Sequence, residues 1–261
     1  MAGTVLVSVS GSVARVTMNR PEVHNAFDER LIEELTRTFE GLAADRAVRA
    51  VLLGANGRSF SAGADLNWMK RTAGYTEAQN LEDARRLAHM LRVLDGMPQP
   101  TVALVQGPAY GGGVGLVACC DIAVAVPEAA FSLSEVRLGL LPAAISPYVV
   151  AAIGARQARR YFLTAERFDA SEARRIGLVH EIAPREELEA AGRRLLDALA
   201  AGGPEAQAAS KRLVARVSAG PIDEAMVEDT ARRIAALRAG AEGREGVAAF
   251  LEKRPPSWRA G

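Results

Sequence analysis

Apolar and polar residues alternate from Thr4 to Ser10 and again from Val13 to Met18, with Gly11 between the two runs. That period of two predicts a pair of antiparallel strands joined by a turn. After the loop NRPEVHNAF the period lengthens, and Asp28 is placed to cap a helix with Leu31, Ile32, Leu35, Phe39 and Leu42 on one face. Arg49 to Gly54 is a short β-type run, followed by the loop ANGRSFSAGADLNWMK. Thr76 opens a second helical pattern, with Leu81, Ala84, Leu87, Leu91 and Leu94 at intervals of three or four and Pro98 and Pro100 beyond its end. Thr101 to Val105 then reads as a buried strand.

That strand leads into QGPAYGGGVGLVACCDIAVAVPEAAFSLSEVRLGLL, Gln106 to Leu141. Its glycines at 111, 112 and 113 let a backbone approach a ligand closely, and the apolar run after them predicts a helix whose first N–H groups point outward. Beyond Glu135, AAISPYVVAAIG is helix-like but interrupted by Pro147, and ARQARRYFLT is a clearer helix. Ser171 to Arg175 suggests a helical turn, and LVHEIA a strand carrying His180. From Glu186 onward the pattern is entirely helical, with breaks at Gly202 to Pro204, Gly220 to Pro221 and Gly240 to Gly243. Strand, loop and helix recur before residue 130, which fits stacked ββα turns forming a spiral. The helical tail then covers an open end or reaches to a partner subunit.

Composition narrows the function. Apolar residues at 49% and charged residues at 24% place this chain of 261 residues among globular proteins with room for a large core. A net charge of +1 carries no basic excess of the kind that nucleic acid or an acidic membrane attracts. Cys119 and Cys120 are adjacent in a helical run and point apart, which argues against a mutual disulfide or a metal pair and fits a reducing compartment. The chain opens without a charged segment followed by an apolar one, and no window approaches the ~18 apolar residues of a membrane span. It reads as soluble and cytoplasmic.

Several chemistries fall away on spacing. Gly113 to Ala118 matches the dinucleotide pattern G-x-G-x-x-A, yet five residues, one a proline, separate Val105 from Gly111 where a Rossmann unit has an immediate turn. There is no GK[ST], no G-x-S-x-G, and the histidines at 24, 89 and 180 lack metal-ligand spacing. His24 and His89 read as surface residues. What remains is glycine-backed N–H donors together with a carboxylate. That pair suits a carbonyl oxygen that gains charge while a proton moves at the adjacent carbon. Apolar neighbours in FSLSEV predict partial burial of Glu135 and a raised pKa. An ion pair with Arg137 is the competing, purely structural role. SAGAD is likewise open between a plain turn before a helix and a second set of exposed N–H groups.

Taken together, NRPEVHNAF, SFSAGADL, QGPAYGGGVGLVACCDIAVA and FSLSEVRLGLLP resemble, in order and separation, the enoyl-CoA hydratase/isomerase (crotonase) superfamily. The resemblance runs on through LTAERFDASEARRIGLVHEI to FLEKR. It implies an α/β fold, a crotonase-like spiral of ββα units over residues 1–200 carrying the acyl-CoA site, and an all-helical C-terminal trimerisation region over 201–261. It implies an acyl-CoA thioester as partner, with coenzyme A entering only as part of the substrate, no further cofactor and no metal, and a homotrimer or dimer of trimers. By motif position the N–H groups of Ala64 and Gly112 form the oxyanion hole and Glu135 is the acid/base. Coenzyme A contacts fall at Ala26, Ala62, Asp65, Leu66, Phe250 and Lys253, although for Lys253 a solvated helix end is an equal reading. Hydratases of the family carry a second glutamate where this chain has Gly115, so simple hydration is in question and isomerisation or a noncatalytic CoA-binding role are the alternatives. A finer similarity, in SAGADLNWM, GGGVGLVACCDIA and LPAAISPYVVAAIG, is to 3-methylglutaconyl-CoA and isohexenylglutaconyl-CoA hydratases of leucine and acyclic terpene breakdown. Trp68, Met69, Gly115, Ser146 and Tyr148 are the candidates to line an acyl pocket, with ordinary core packing as an equal reading.

Overall fold

The computed structural model describes residues 3–218 and 220–259. Both alternating runs are strands: β1 (Val5–Ser10) and β2 (Val13–Met18) pair antiparallel about Gly11. In chain order follow α1 (Glu29–Ala44), β3 (Ala50–Ala55), α2 (Leu66–Thr72), α3 (Glu77–Asp95), β4 (Thr101–Val105), β5 (Ala109–Tyr110), α4 (Gly112–Cys119), β6 (Ile122–Ala125) and β7 (Ala130–Ser132). Then come α5 (Ser146–Thr164), β8 (Phe168–Asp169), α6 (Ala170–Ile176), β9 (Glu181–Ile182), α7 (Leu188–Ala200), α8 (Pro204–Val217), α9 (Glu224–Ala239) and α10 (Ala241–Leu251).

The main sheet has the order β1-β2-β3-β4-β6-β9, parallel from β2 onward, and a small second sheet has the order β5-β7-β8. Each turn of chain adds one strand to the first sheet, then a short piece to the second, then a helix. β4, β5 and α4 make one such turn, β6, β7 and α5 the next, and the bridge Ser61 to Ala109 lets the segment after β3 join the small sheet in the same way. This is the expected spiral of ββα units. Its central strand β4 is buried along its whole length, so every residue of TVALV packs inward, as a parallel strand covered on both faces must.

Local chemistry explains the helix starts. The Asp28 carboxylate accepts from the Leu31 N–H at 2.8 Å, and Leu31, Ile32, Leu35, Phe39 and Leu42 are all buried. Thr76 and Gln79 form a reciprocal capping box at the head of α3. The predicted apolar face of α3 is corrected by the packing: Met90, Leu91 and Leu94 are buried, but Leu81 and Ala84 are exposed, so only the second half of the helix reaches the core. Pro147 does not interrupt its helix either. It stands in the first turn of α5, where its missing N–H would have had no intrahelical acceptor. The break falls at Gly154, with φ 74° and ψ 152°. The LVHEIA strand is shorter than its apolar run, pairing only at Glu181–Ile182.

Helix α7 lies across β3, β4 and β6. Past it the core thins: α8 buries none of its residues, α9 buries Met226 and α10 buries Ala249. Lys211 of α8 is tied to the sheet region by an ion pair with Asp121 at 2.7 Å and a bond to the Gln99 carbonyl at 3.1 Å. Val214, Ile222, Val227, Val247, Phe250 and Leu251 remain exposed on the outer faces. Among the described residues, no helix is long and apolar enough to cross a membrane.

Candidate active site

The loop NRPEVHNAF is held by Asn25. Its buried side chain accepts from the Arg20 N–H at 2.8 Å and donates to the carbonyls of Asn56 at 2.8 Å and Ser59 at 2.9 Å. Ser61 Oγ in turn donates to the Asn25 carbonyl at 2.9 Å. The chain after this anchor runs beside SAGAD: the Phe27 N–H donates to the Gly63 carbonyl at 2.6 Å, and the Asp65 N–H to the Phe27 carbonyl at 2.8 Å. In a parallel bridge of this kind the intervening residue faces the other way. The Ala64 N–H accordingly meets no acceptor among the described residues.

On the opposite side, the Tyr110 N–H donates to the Ser61 carbonyl at 2.8 Å and the Gly111 N–H to the Ser132 carbonyl at 2.9 Å. Those two bonds draw SAGAD, GGG and FSLSE together. Gly63, at φ 85°, passes so close to Tyr110 that a β-carbon would stand 3.1 Å from its carbonyl oxygen. Gly111, at φ 49°, leaves the same kind of space to Glu135, whose Oε1 lies 3.1 Å from where a β-carbon would be. Gly112 begins α4, so its N–H belongs to the first turn and has no intrahelical acceptor. A β-carbon there would press to 2.9 Å from the Phe27 ring.

Glu135 opens the short 3-10 turn Glu135–Leu138. Its Oε2 is buried without a hydrogen-bond partner, and the carboxylate makes no ion pair with Arg137 among the described residues. The structural role as an ion-paired glutamate is therefore not the one this fold uses. Burial pushes the Glu135 pKa above the usual carboxylate range, with its own backbone N–H pulling weakly the other way. An orphaned buried acceptor costs stability, on the order of 1 kcal/mol. Burial adds a cost of ionising the carboxyl that is absent at low pH, where folded and unfolded states are both protonated, and that grows as pH rises from the unfolded value through the raised folded one. The E135Q variant is expected to have a higher Tm than the wild type at pH 8, and thermal scans should show that gap closing toward pH 4.

One turn along α4, Gly115 donates its N–H to the Gly111 carbonyl at 3.2 Å. A β-carbon at Gly115 would stand 2.3 Å from Ile145 Cγ2. Ile145 therefore fills the place where any side chain at position 115 would begin.

The remaining expected residues divide. Trp68 is buried with its indole facing the Asp83 carboxyl, and Met69 beside it is half-buried. Ser146 spends its hydroxyl on the Ala143 carbonyl at 2.8 Å, and Tyr148 is half-buried with its pKa raised by burial. Ala62 and Leu66 are exposed beside Ala64, whereas Ala26 is buried and its carbonyl accepts from Arg20 at 2.6 Å. Asp65 is buried and fully engaged: it caps α2 through the N–H groups of Asn67 and Trp68 and pairs with Arg20 at 3.1 Å. Those backbone bonds and Arg20 outweigh its burial and hold its carboxyl below the usual range. Asp65→Ala is expected to cost about 1–2 kcal/mol of stability through the lost cap, measurable by denaturant unfolding. Phe250, 82% exposed, and Lys253 lie at the end of α10, with no hydrogen bond or ion pair to the glycine cluster among the described residues.

Ile145, Phe27 and Arg20 shape the site without having been singled out by sequence. Arg20 pairs with both Asp28 and Asp65, at 2.9 and 3.1 Å, a pairing of residues up to 45 positions apart that no local sequence signal marked. A separate charged depression of about 450 Å³ is lined by Arg160, Tyr161, Glu166, Arg167, Phe168, Asp169, Glu172 and Arg175. Its charges largely satisfy one another, as in Arg160–Glu166 and Arg175–Glu172.

The spiral of ββα turns, with glycine-backed amides set beside one carboxylate, is the architecture of a crotonase-type enzyme. The chain belongs to the enoyl-CoA hydratase/isomerase family, whose model matches residues 8–261. It is 31% identical over 257 residues to the 2,3-dehydroadipyl-CoA hydratase of Escherichia coli K12, covering 98% of each chain. It is 36% identical to the enoyl-CoA hydratase ACTT6 of Alternaria alternata, over 95% of this chain and 81% of that one. Among solved structures, an enoyl-CoA hydratase from Shewanella pealeana superposes with a TM-score of 0.95 at 46% identity, covering 98% of this chain and 96% of that one. Pseudomonas aeruginosa AtuE superposes with a TM-score of 0.93 at 40% identity, over 98% and 99%.

Proposed function

We propose that this protein is an acyl-CoA hydratase that adds water across the double bond of an enoyl-CoA, with a branched, glutaconyl-type chain as substrate. The observation that carries the reading is the buried Glu135 carboxylate, unpartnered at Oε2 and set against Gly111, the residue that precedes the free first-turn amide of Gly112. The thioester oxygen is held by the N–H groups of Ala64 and Gly112, where its charge grows as water oxygen bonds to C3. Glu135 takes a proton from that water and returns one to C2, so one water is added and nothing else is consumed. A raised pKa suits a group that both accepts and donates a proton near neutrality. The glutaconyl assignment draws support from the Escherichia coli relative, a hydratase of 2,3-dehydroadipyl-CoA, whose acyl chain also ends in a carboxylate.

The chemistry needs no cofactor beyond the coenzyme A of the substrate. The exposed apolar residues of α8 to α10 support a homotrimer or dimer of trimers, with residues 201–261 as the associating region. Phe250 and Lys253 then hold coenzyme A, and a cytoplasmic location fits acyl-CoA breakdown. A second reading, isomerisation of a 3-enoyl-CoA, is favoured by the lone carboxylate: one group suffices to move a proton between C2 and C4.

Separate incubations with 3-methylglutaconyl-CoA and with a 3-enoyl-CoA, followed by mass spectrometry, decide between them. A gain of one water supports hydration. A shifted double bond at constant mass overturns it in favour of the isomerase, and coenzyme A affinity with no solvent deuterium entering any acyl chain points to a binding protein.

A further inference from the structure

We propose that Ile145 is the positioning residue that keeps this site at a single carboxylate, by occupying the space into which any side chain at position 115 would grow. The inference rests on the hydration reading for its chemical consequence and on packing alone for its geometry. Gly115 is buried in α4, and the N–H bond to Gly111 fixes it one turn from the glycine that borders Glu135. From Gly115, a β-carbon would reach 2.3 Å from Ile145 Cγ2, 3.0 Å from Ile145 Cβ and 3.6 Å from Leu91 Cδ2. The first two distances lie well inside carbon–carbon contact.

Ile145 has little freedom to withdraw. It is 2% exposed and precedes α5, where its carbonyl accepts from the Val149 N–H at 3.1 Å. The next residue is pinned by two bonds, as Ser146 donates from both N–H and Oγ to the Ala143 carbonyl at 3.1 and 2.8 Å. A β-branched side chain on so constrained a backbone has few χ1 alternatives. Glu135 and Ile145 also stand at the two ends of one short connection, whose Leu140 N–H returns to the Glu135 carbonyl at 3.1 Å. Position 115, one turn beyond Gly111 on α4, is thus closed by carbon. Glu135 alone holds the water and the proton, and no second polar group can enter from position 115 while Ile145 remains.

The test is a set of variants read by thermal unfolding and by rate. G115A is expected to lower Tm by several degrees. Each double variant is compared with its own Ile145 single variant: against I145A, which lacks Cγ2, adding G115A is expected to recover at least half of that loss, whereas against I145V, which keeps a γ-methyl group, it recovers none. No recovery with I145A, or equal recovery with I145V, overturns the assignment. For the chemistry, G115E/I145A is expected to hydrate an unbranched 2-enoyl-CoA on the order of tenfold faster than I145A, because a second carboxylate can then orient water. Equal rates, in a double variant whose circular dichroism matches the wild type, overturn the one-carboxylate role. If G115E/I145A does not fold, the alanine and valine pairs still decide. A wild type that gains no water with any enoyl-CoA defeats the hydration reading separately, while the Tm comparison judges Ile145 by itself.

Discussion

Glu135→Gln lowers kcat on the order of 10²- to 10⁴-fold, the usual contribution of a positioned acid/base, with little change in KM. Glutamine keeps the size and the hydrogen-bonding shape of the side chain but cannot take a proton from water. The fold gives no substitute: among the described residues, Glu135 has no ion-pair partner, and the amides of Ala64 and Gly112 are donors without a titratable proton to exchange. The same variant gains stability at alkaline pH, as argued above, so the loss cannot be laid to unfolding. Steady-state kinetics on the substrate that gains water, together with a thermal scan of the same preparation, check both halves. An E135Q rate within a few-fold of the wild type rejects the mechanism.

The second large effect concerns the Gly112 amide. Ala and Pro at this position add the same β-carbon, which meets the Phe27 ring at 2.9 Å, so both variants carry a common steric cost. Only proline deletes the N–H, and it does so at the first residue of a helix, where its fixed φ is accepted. G112P is therefore expected to fall below G112A in kcat by a further ~100-fold or more, corresponding to about 3 kcal/mol of lost transition-state stabilisation. Measuring kcat for the pair subtracts the crowding of the β-carbon and leaves the replacement of the N–H by the proline Cδ. Equal rates in the two variants place the thioester oxygen elsewhere.

Much of this was readable from the chain because its causes are local. The alternation about Gly11, the carboxylate of Asp28 and the hydroxyl of Thr76 act within a few residues of themselves, and each appears in the structure where expected. The apolar TVALV run could only be a covered strand. Misreadings arose where a pattern was compatible with more than one surrounding. Leu81 and Ala84 continue the helical period of α3 but extend beyond what α1 and α4 cover, and Pro147 looks the same in a string of letters whether it breaks a helix or begins one.

For the site, the division follows distance along the chain. Glycines at 111 to 113, the SAGAD turn and a glutamate among apolar neighbours were determined by the sequence itself, as was the empty position at Gly115. Only the tertiary structure decided that Phe27 takes the hydrogen bonds on either side of Ala64 and leaves that amide free, that Glu135 has no partner in Arg137, and that Ile145 fills the space beside Gly115. These are contacts between residues 30 to 40 apart for Phe27 with Ala64 and for Gly115 with Ile145. They depend on how turns of the spiral stack, and no local propensity encodes a separation of that kind.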